Sequence, residues 1–244
     1  MSEQAFYLEL KGWCPICEKP ATFISKNPWL RGGRFCQSCE NGSSPRERAL
    51  ALVLNRMRPD WRNLSIHESS PMKRGVAMKL KKECAGYVAS HYFPDKPFGE
   101  IVGGFRNESL EALTFRDNTH DLILTLDVFE HVFHPDRMMK EIYRTLKPGG
   151  LYIATFPVRK AQVEPLKPRV RREADGSLTH LEPPEIHGNP VSGEGALVTY
   201  DYGYDIHQKI AEWAPFDVAI TRFNSKRMGI LGEYLEVIAC AKPV

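Results

Sequence analysis

No apolar run in this chain is long enough to cross a bilayer, which excludes a membrane-spanning helix. Its opening residues, MSEQAFYLELKGW, lack the basic and apolar pattern of a secretory leader, so a cytoplasmic location is expected. Charge of one sign is scarce as well. A formal net charge of +3 over 244 residues is too weak to require nucleic acid as partner. Cysteine is sparse, with six in all. What is present suffices for a core: 42% of the residues are hydrophobic, and the length accommodates one large domain plus a small module.

Four of the six cysteines form two knuckles, Cys14-Pro-Ile-Cys17 and Cys36-Gln-Ser-Cys39, with eighteen residues between them. A tight turn presents two thiolates on one face of a tetrahedral ion, and two such turns complete a structural four-cysteine zinc site. So short a segment buries little core, and metal binding then supplies its folding energy. Redox use of either pair is the rival, which the paired arrangement disfavours. A site closed by four protein ligands is not catalytic. Residues 1–43 are therefore expected to be a zinc ribbon, and Cys84 and Cys240, alone in apolar surroundings, core thiols. Lys19, Lys26, Arg31 and Arg34, interleaved with Phe23, Trp29 and Phe35, suit docking to the rest of the chain or contact with RNA or protein. Ser44-Pro45-Arg46-Glu47 has capping-box spacing and opens a helix whose buried face is Leu50, Val53, Leu54 and Met57, ended by Pro59.

The segment from Asp121 to Pro157, DLILTLDVFEHVFHPDRMMKEIYRTLKPGGLYIATFP, carries the most information. A buried strand, Leu122 to Leu126, ends in the polar cluster Asp127, Glu130 and His131. Pro135 starts a helix, whose apolar face is Met138, Met139, Ile142 and Leu146. The turn from Lys147 to Gly150 leads to a second apolar strand, Leu151 to Phe156. Polar groups just beyond the carboxyl end of a buried parallel strand stand where open α/β sheets bind their ligands.

These residues resemble the second half of a class I S-adenosylmethionine (SAM)-dependent methyltransferase of the small-molecule type. The matching positions are Asp121-Leu122-Ile123, Asp127, Glu130-His131 and Leu146 to Gly150, preceded by the lead-in Leu113-Thr114-Phe115-Arg116-Asp117. The resemblance implies an α/β fold, a doubly wound, mostly parallel seven-stranded sheet. Residues 44–244 would form the catalytic domain and residues 157–204 an inserted lid or acceptor segment. It further implies SAM as cofactor.

Two departures from the family pattern concern that cofactor. After the first strand, expected at Asn63 to His67, the family's glycine-rich GxGxG loop is replaced by His67-Glu68-Ser69-Ser70-Pro71. Ser69 and Ser70 either bond a carboxylate or cap a following helix over roughly Met72 to Glu83. The second strand, Gly86 to His91, ends in Ser90-His91-Tyr92, where relatives carry a ribose-binding acid. Beyond a short third strand near Gly104 to Asn107, Glu108, Ser109 and Leu110 fall where the family meets adenine. The expected cofactor residues are thus His67, Glu68, Ser69, Ser90, His91, Glu108, Ser109, Leu110 and Asp127.

For catalysis, His131 is the candidate base, since an imidazole titrates near neutrality. Glu130 and Asp127 would orient it or contact substrate. In 157–204 the first half is basic (Arg159, Lys160, Lys167, Arg169, Arg171, Arg172), fit either for an anionic acceptor or for solvation. His180, His187, Tyr200 and Tyr202 are acceptor-pocket candidates, and the spacing of the two histidines fixes no metal geometry. A helix (Ile206, Ile210, Trp213) and strands at Phe216 to Thr221 and Tyr234 to Ala241 complete the expected sheet. The expected reaction is methyl transfer to a small-molecule acceptor. Two alternatives stay open: an inactive interaction module, and an RNA methyltransferase that uses the ribbon for recognition.

Overall fold

Residues 7–244 are described in this computed structural model, so the first six residues of the expected ribbon lie outside the described residues. Strand β1 (Leu8–Cys14) returns as β2 (Lys19–Ser25) around the first cysteine knuckle, and after a one-turn helix α1 (Leu30–Gly33) strand β3 (Arg34–Cys36) pairs with β2. This small antiparallel sheet is seated directly on the larger body. The Trp13 amide donates to the Arg227 carbonyl at 2.8 Å, and a Cβ at Gly12 would collide with that same carbonyl oxygen. Cys14, Ile16, Phe23 and Cys36 share one core with Leu50, Leu54, Ile230 and Leu235.

Helix α2 (Pro45–Met57) starts with the capping box expected from the sequence. The Glu47 amide donates to Ser44 Oγ at 3.5 Å, and the Ser44 amide donates to the Glu47 carboxylate at 2.7 Å. Leu50, Val53 and Leu54 are buried, whereas Met57, the last helical residue, is exposed.

The main sheet follows: β4 (Ile66–Ser69), helix α3 (Gly75–Glu83), β5 (Tyr87–His91), the two-residue β6 (Ile101–Val102), β7 (Phe105–Asn107), β8 (His120–Leu126), helix α4 (Pro135–Thr145) and β9 (Leu146–Thr155). The chain then passes through six short strands. These are β10 (Leu166–Pro168), β11 (Val170–Arg172), β12 (Leu178–His180), β13 (Ile186–His187), β14 (Ala196–Leu197) and β15 (Tyr200–Tyr202). Helix α5 (Ile206–Trp213), β16 (Asp217–Thr221) and β17 (Val237–Ala241) end it.

Sheet order is β16-β17-β9-β8-β4-β5-β7-β6. Strands β9, β8, β4, β5 and β7 run parallel, and β17 lies antiparallel to both β9 and β16. The sheet has eight strands where seven were expected; the additional one is β6, which folds back on β7 as an edge hairpin. Chain order reverses at β4 and β8, the switch point where such sheets open a crevice.

Strand β8 shows why no polar alternation survives in its sequence. Leu122 and Leu124 pack toward α2, while Ile123 packs toward α4 and α5. Helix α4 presents Met138, Met139 and Ile142 to that second core, as its periodicity predicts.

The front of the domain departs most from expectation. Residues Trp61 to Asn63 form a single 3₁₀ turn, with Trp61 buried and its indole donating to Asn55 at 3.0 Å. Strand β4 therefore begins later and runs on past His67, so Glu68 and Ser69 are strand residues rather than loop. Helix α3 starts at Gly75, not Met72. Its N-cap, Arg74, makes no side-chain cap, and Ser69 and Ser70 do not cap it. The turn between them is sharp: Ser70 takes φ +55°, a conformation that costs a residue with a Cβ.

Candidate active site

A crevice opens over the carboxyl ends of β4, β5, β7 and β8. Ser69 and Ser70 line it from β4, His91 and Tyr92 from β5, Glu108 to Glu111 from the turn after β7, and Asp127, Val128 and His131 to Phe133 from the segment after β8. Gly188 to Val191, Ala196 and Arg172 form its outer wall. Its volume is about 190 Å³, and it adjoins a second hollow of about 480 Å³ that shares Ser70, Asp127, His131 and residues 188–190 with it. Small-molecule sites occupy roughly 300–1,000 Å³, so the pair is large enough for one.

Of the expected cofactor residues, Ser69, His91, Glu108, Ser109, Leu110 and Asp127 reach this crevice, and His67, Glu68 and Ser90 do not. His67 and Glu68 lie within β4 and Ser90 within β5, so all three are held in the sheet. His67 is fully buried, with Nε2 2.8 Å from Ser90 Oγ and its ring against Phe115 and His120. Burial, then His120 and Arg106, push it down to about 3, so it is neutral. The Glu68 carboxyl accepts from Tyr87 at 2.8 Å, and burial pushes it up to about 8.

Two further residues line the crevice with their carboxylates already committed. Glu108 accepts from Arg106 Nε at 2.6 Å, from the Thr114 amide at 2.8 Å and from Thr114 Oγ1 at 2.5 Å, so it braces the loop. Asp127, at φ +55°, receives both Arg31 guanidinium nitrogens at 2.6 Å and lies 3.0 Å from Arg46 Nε. Burial alone would raise its carboxyl; Arg31 and Arg46 instead hold it far below the ordinary range. It is no proton acceptor at physiological pH. It anchors the N-terminal antiparallel sheet to the crevice floor, with Arg31 Nε also donating to the Tyr234 carbonyl at 2.8 Å.

Glu130 and His131 lie in a 3₁₀ turn, Phe129–His131, tied down from 157–204: the Thr199 amide donates to the Glu130 carbonyl at 2.8 Å, and Thr199 Oγ1 to the Val132 carbonyl at 2.5 Å. His131 Nδ1 is 2.9 Å from the Leu197 carbonyl oxygen. A carbonyl only accepts, so Nδ1 carries the proton and Nε2 is left open. That Nε2 lies 3.9 Å from Glu130 Oε1, and His187 Nδ1 lies 3.5 Å from the same oxygen. Glu130 is 2% exposed, and neither carboxylate oxygen has a hydrogen-bond partner.

The other acceptor candidates separate. His187 joins the cluster, while His180 sits exposed on β12. Tyr202 is fully buried and donates to the Phe129 carbonyl at 3.1 Å, and Tyr200 stacks on it. Most of the basic run is neutralised: Arg159 and Arg169 pair with Asp201 and Glu185, Lys160 with Glu233, Lys167 with Glu182 and Arg171 with Glu173. Arg172 instead lies 3.9 Å over the Phe133 ring and faces the crevice.

In the ribbon the Sγ atoms of Cys14 and Cys39 are 3.5 Å apart, and those of Cys17 and Cys36 are 3.9 Å apart. That is far beyond a disulfide, and all six cysteines are free thiols. The four sulfurs lie mutually within 4.8 Å. Burial pushes the Cys17 thiol up to about 12, while contacts with Cys14 and Cys39 pull Cys36 down to about 2.

Sequence reasoning missed Arg31, Arg46 and Glu185 as parts of this region. Arg31 had shown only as one basic residue among aromatics, and nothing in its neighbourhood signals a partner 96 residues away.

A family model described as a methyltransferase domain matches residues 72–154, the span from α3 to the end of β9. An uncharacterised methyltransferase of Mycolicibacterium gilvum is 39% identical over 57 residues, 23% of this chain and 22% of that protein. A ubiquinone/menaquinone biosynthesis C-methyltransferase of Hydrogenovibrio crunogenus is 50% identical over 40 residues, 16% of each chain. The matches thus span less than a quarter of these relatives' own length. Among solved structures, an S-adenosylmethionine-dependent methyltransferase from Mesorhizobium loti superposes with a TM-score of 0.51 at 12% identity, covering 79% of this chain and 97% of that one. The fold is that of the class I SAM-dependent methyltransferases. No helix among the described residues is long and apolar enough to cross a membrane.

Proposed function

We propose that this protein transfers a methyl group from SAM to a small-molecule acceptor. The observation that carries the reading is the open crevice at the β4/β8 switch point, whose lining from His91 to Phe133 falls within the residues that match a methyltransferase domain. Its inner half, formed by Ser69, Ser70, His91, Tyr92, Ser109 and Leu110, offers small hydroxyls, an amphipathic ring and a hydrophobic wall, chemistry suited to the aminoacyl and adenosine parts of the cofactor. The serine turn fits because Ser70 adopts a left-handed backbone conformation that glycine usually supplies, bringing main chain to the crevice surface.

The sulfonium, once bound, supplies an already activated methyl group. The remaining task is to hold an acceptor in line with it, which is worth roughly 7–11 kcal/mol. Phe133, Arg172 and residues 188–191 enclose the acceptor from outside. His131 faces it from the floor and deals with its proton, the fixed Nδ1–H leaving Nε2 turned toward Glu130, which lies buried behind the ring and orients it. Arg172, without a carboxylate partner, would favour an acceptor carrying negative charge.

The ribbon is proposed to hold structural zinc. Four thiolates about 2.3 Å from a tetrahedral ion are about 3.8 Å apart, close to the sulfur separations of this cluster. Its task is to present Arg31 to Asp127.

The test is calorimetric titration of the full-length protein with SAM and with S-adenosylhomocysteine. Saturable heat and a raised melting temperature are expected with both. No heat and no thermal shift with either would overturn the proposal.

A further inference from the structure

The cluster of Glu130, His131 and His187 has a feature that proton transfer alone does not explain. Among the described residues, neither oxygen of this 2% exposed carboxylate has a hydrogen-bond partner, and stranding a charged group this way is costly. The two nearest side chains turn toward it with a ring nitrogen each, His187 Nδ1 at 3.5 Å and His131 Nε2 at 3.9 Å.

The opposite nitrogen of each ring is already fixed. His131 Nδ1 is bonded to the Leu197 carbonyl at 2.9 Å, and His187 Nε2 to Glu185 Oε1 at 3.0 Å. A backbone carbonyl behind one imidazole and a carboxylate behind the other is the outer arrangement of metal-binding histidines, since it sets the tautomer and aims the remaining lone pair at the ion. Glu185 is itself held by Arg159 at 3.0 Å. All three donor atoms lie within 4.8 Å of one another. His131 and His187 also border the adjoining hollow, so a bound ion would keep positions open to a ligand.

We propose that Glu130, His131 and His187 bind one divalent transition-metal cation, and that this cation grips an oxygen of the methyl acceptor. Two histidines and one carboxylate with open positions suit manganese, iron, cobalt or zinc. The part concerning the acceptor rests on the methyl-transfer reading above. With the ion in place, His131 Nε2 is a ligand, and the cation takes over the acceptor's activation by making its hydroxyl more acidic. The hydroxyl proton leaves to water. The oxygen then forms a bond to the methyl carbon as the carbon–sulfur bond breaks, and the electron pair stays on sulfur as a neutral thioether.

Manganese(II) is the probe, because thiolates select softer ions and the cysteine cluster competes poorly for it. Titration of the full-length protein, read by the paramagnetic resonance of free manganese, is expected to show one bound equivalent with no change in the zinc held by the cysteines. His187→Ala should abolish it. Glu185→Gln, which leaves all three ligands in place, should weaken it about 10–100-fold. No bound manganese or cobalt in the wild-type protein overturns the site, as does binding unchanged in both variants. SAM titrated in parallel keeps the two ideas apart: cofactor binding without manganese binding removes the cation and spares methyl transfer, and the reverse result removes methyl transfer and spares the cation.

Discussion

Asp127 shows how far a single residue departs from its sequence context. It follows a buried strand, as its position suggests, and its carboxylate is paired with two arginines. Removing one partner of a buried ion pair costs about 3–5 kcal/mol. Arg31→Ala should therefore lower stability by about 3 kcal/mol in urea unfolding, the low end because Arg46 remains. The folded-state acidity of Asp127 is depressed, so its contribution is complete above the ordinary value of 3.8 and fades as pH falls below it. The stability lead of the wild type over Asp127→Asn should shrink through that acid range. Glu68 behaves oppositely. Its carboxyl is raised from 4.5 to about 8, so the unfolded chain ionises first and the wild type should lose stability relative to Glu68→Gln as pH rises between those values, then level off. Denaturation at stepped pH checks both. The sequence marked Asp127 and Glu68 as site residues but not their partners, because Arg31 and Tyr87 reach them through tertiary packing.

Among elements, legibility followed the length of the periodic signal. Helix α4 and strand β8 were readable because many residues repeat one pattern, and α2 because its cap is local, whereas β9 begins at Leu146 and takes in the expected turn of Lys147 to Gly150. The strands between residues 166 and 202 were not, since two or three residues carry no periodicity and are defined by partners across the chain. The late start of α3 hid behind Ser70, whose backbone angle no side chain announces. Two measurements probe this scale. Ser44→Ala should cost about 1 kcal/mol of stability, the usual worth of an N-cap. Thr199→Val removes the hydroxyl that joins the 157–204 segment to the carbonyl of Val132, a loss of about 1–2 kcal/mol. Hydrogen exchange should then quicken at residues 186–199 while β8 and β9 stay protected; equal exchange in both regions would contradict the tether.

At the scale of the molecule, the N-terminal sheet and the main sheet share a core cluster and meet at the Arg31–Asp127 pair, so a metal held by the cysteines and the crevice should respond together. Cys14→Ser combined with Cys17→Ser is expected to release close to one zinc equivalent and to weaken SAM binding as well, through the displaced Arg31. Metal analysis alongside calorimetry checks this, and unchanged zinc content would refute the ribbon assignment. The cysteine knuckles and the segment from Asp121 to Pro157 stand out in the sequence, but nothing in it signals that Arg31 meets Asp127 on the crevice floor.

The Arg31 clamp also has a meaning for the order of assembly. Its guanidinium meets Asp127 and its Nε meets the carbonyl of Tyr234, so three stretches of chain must converge before the floor exists. During synthesis the arginine emerges early and waits for a carbonyl 203 positions downstream. A nascent chain halted before that point would lack the Tyr234 carbonyl and the Leu235 side chain that packs on the cysteine module, leaving both the clamp and the pocket floor unfinished.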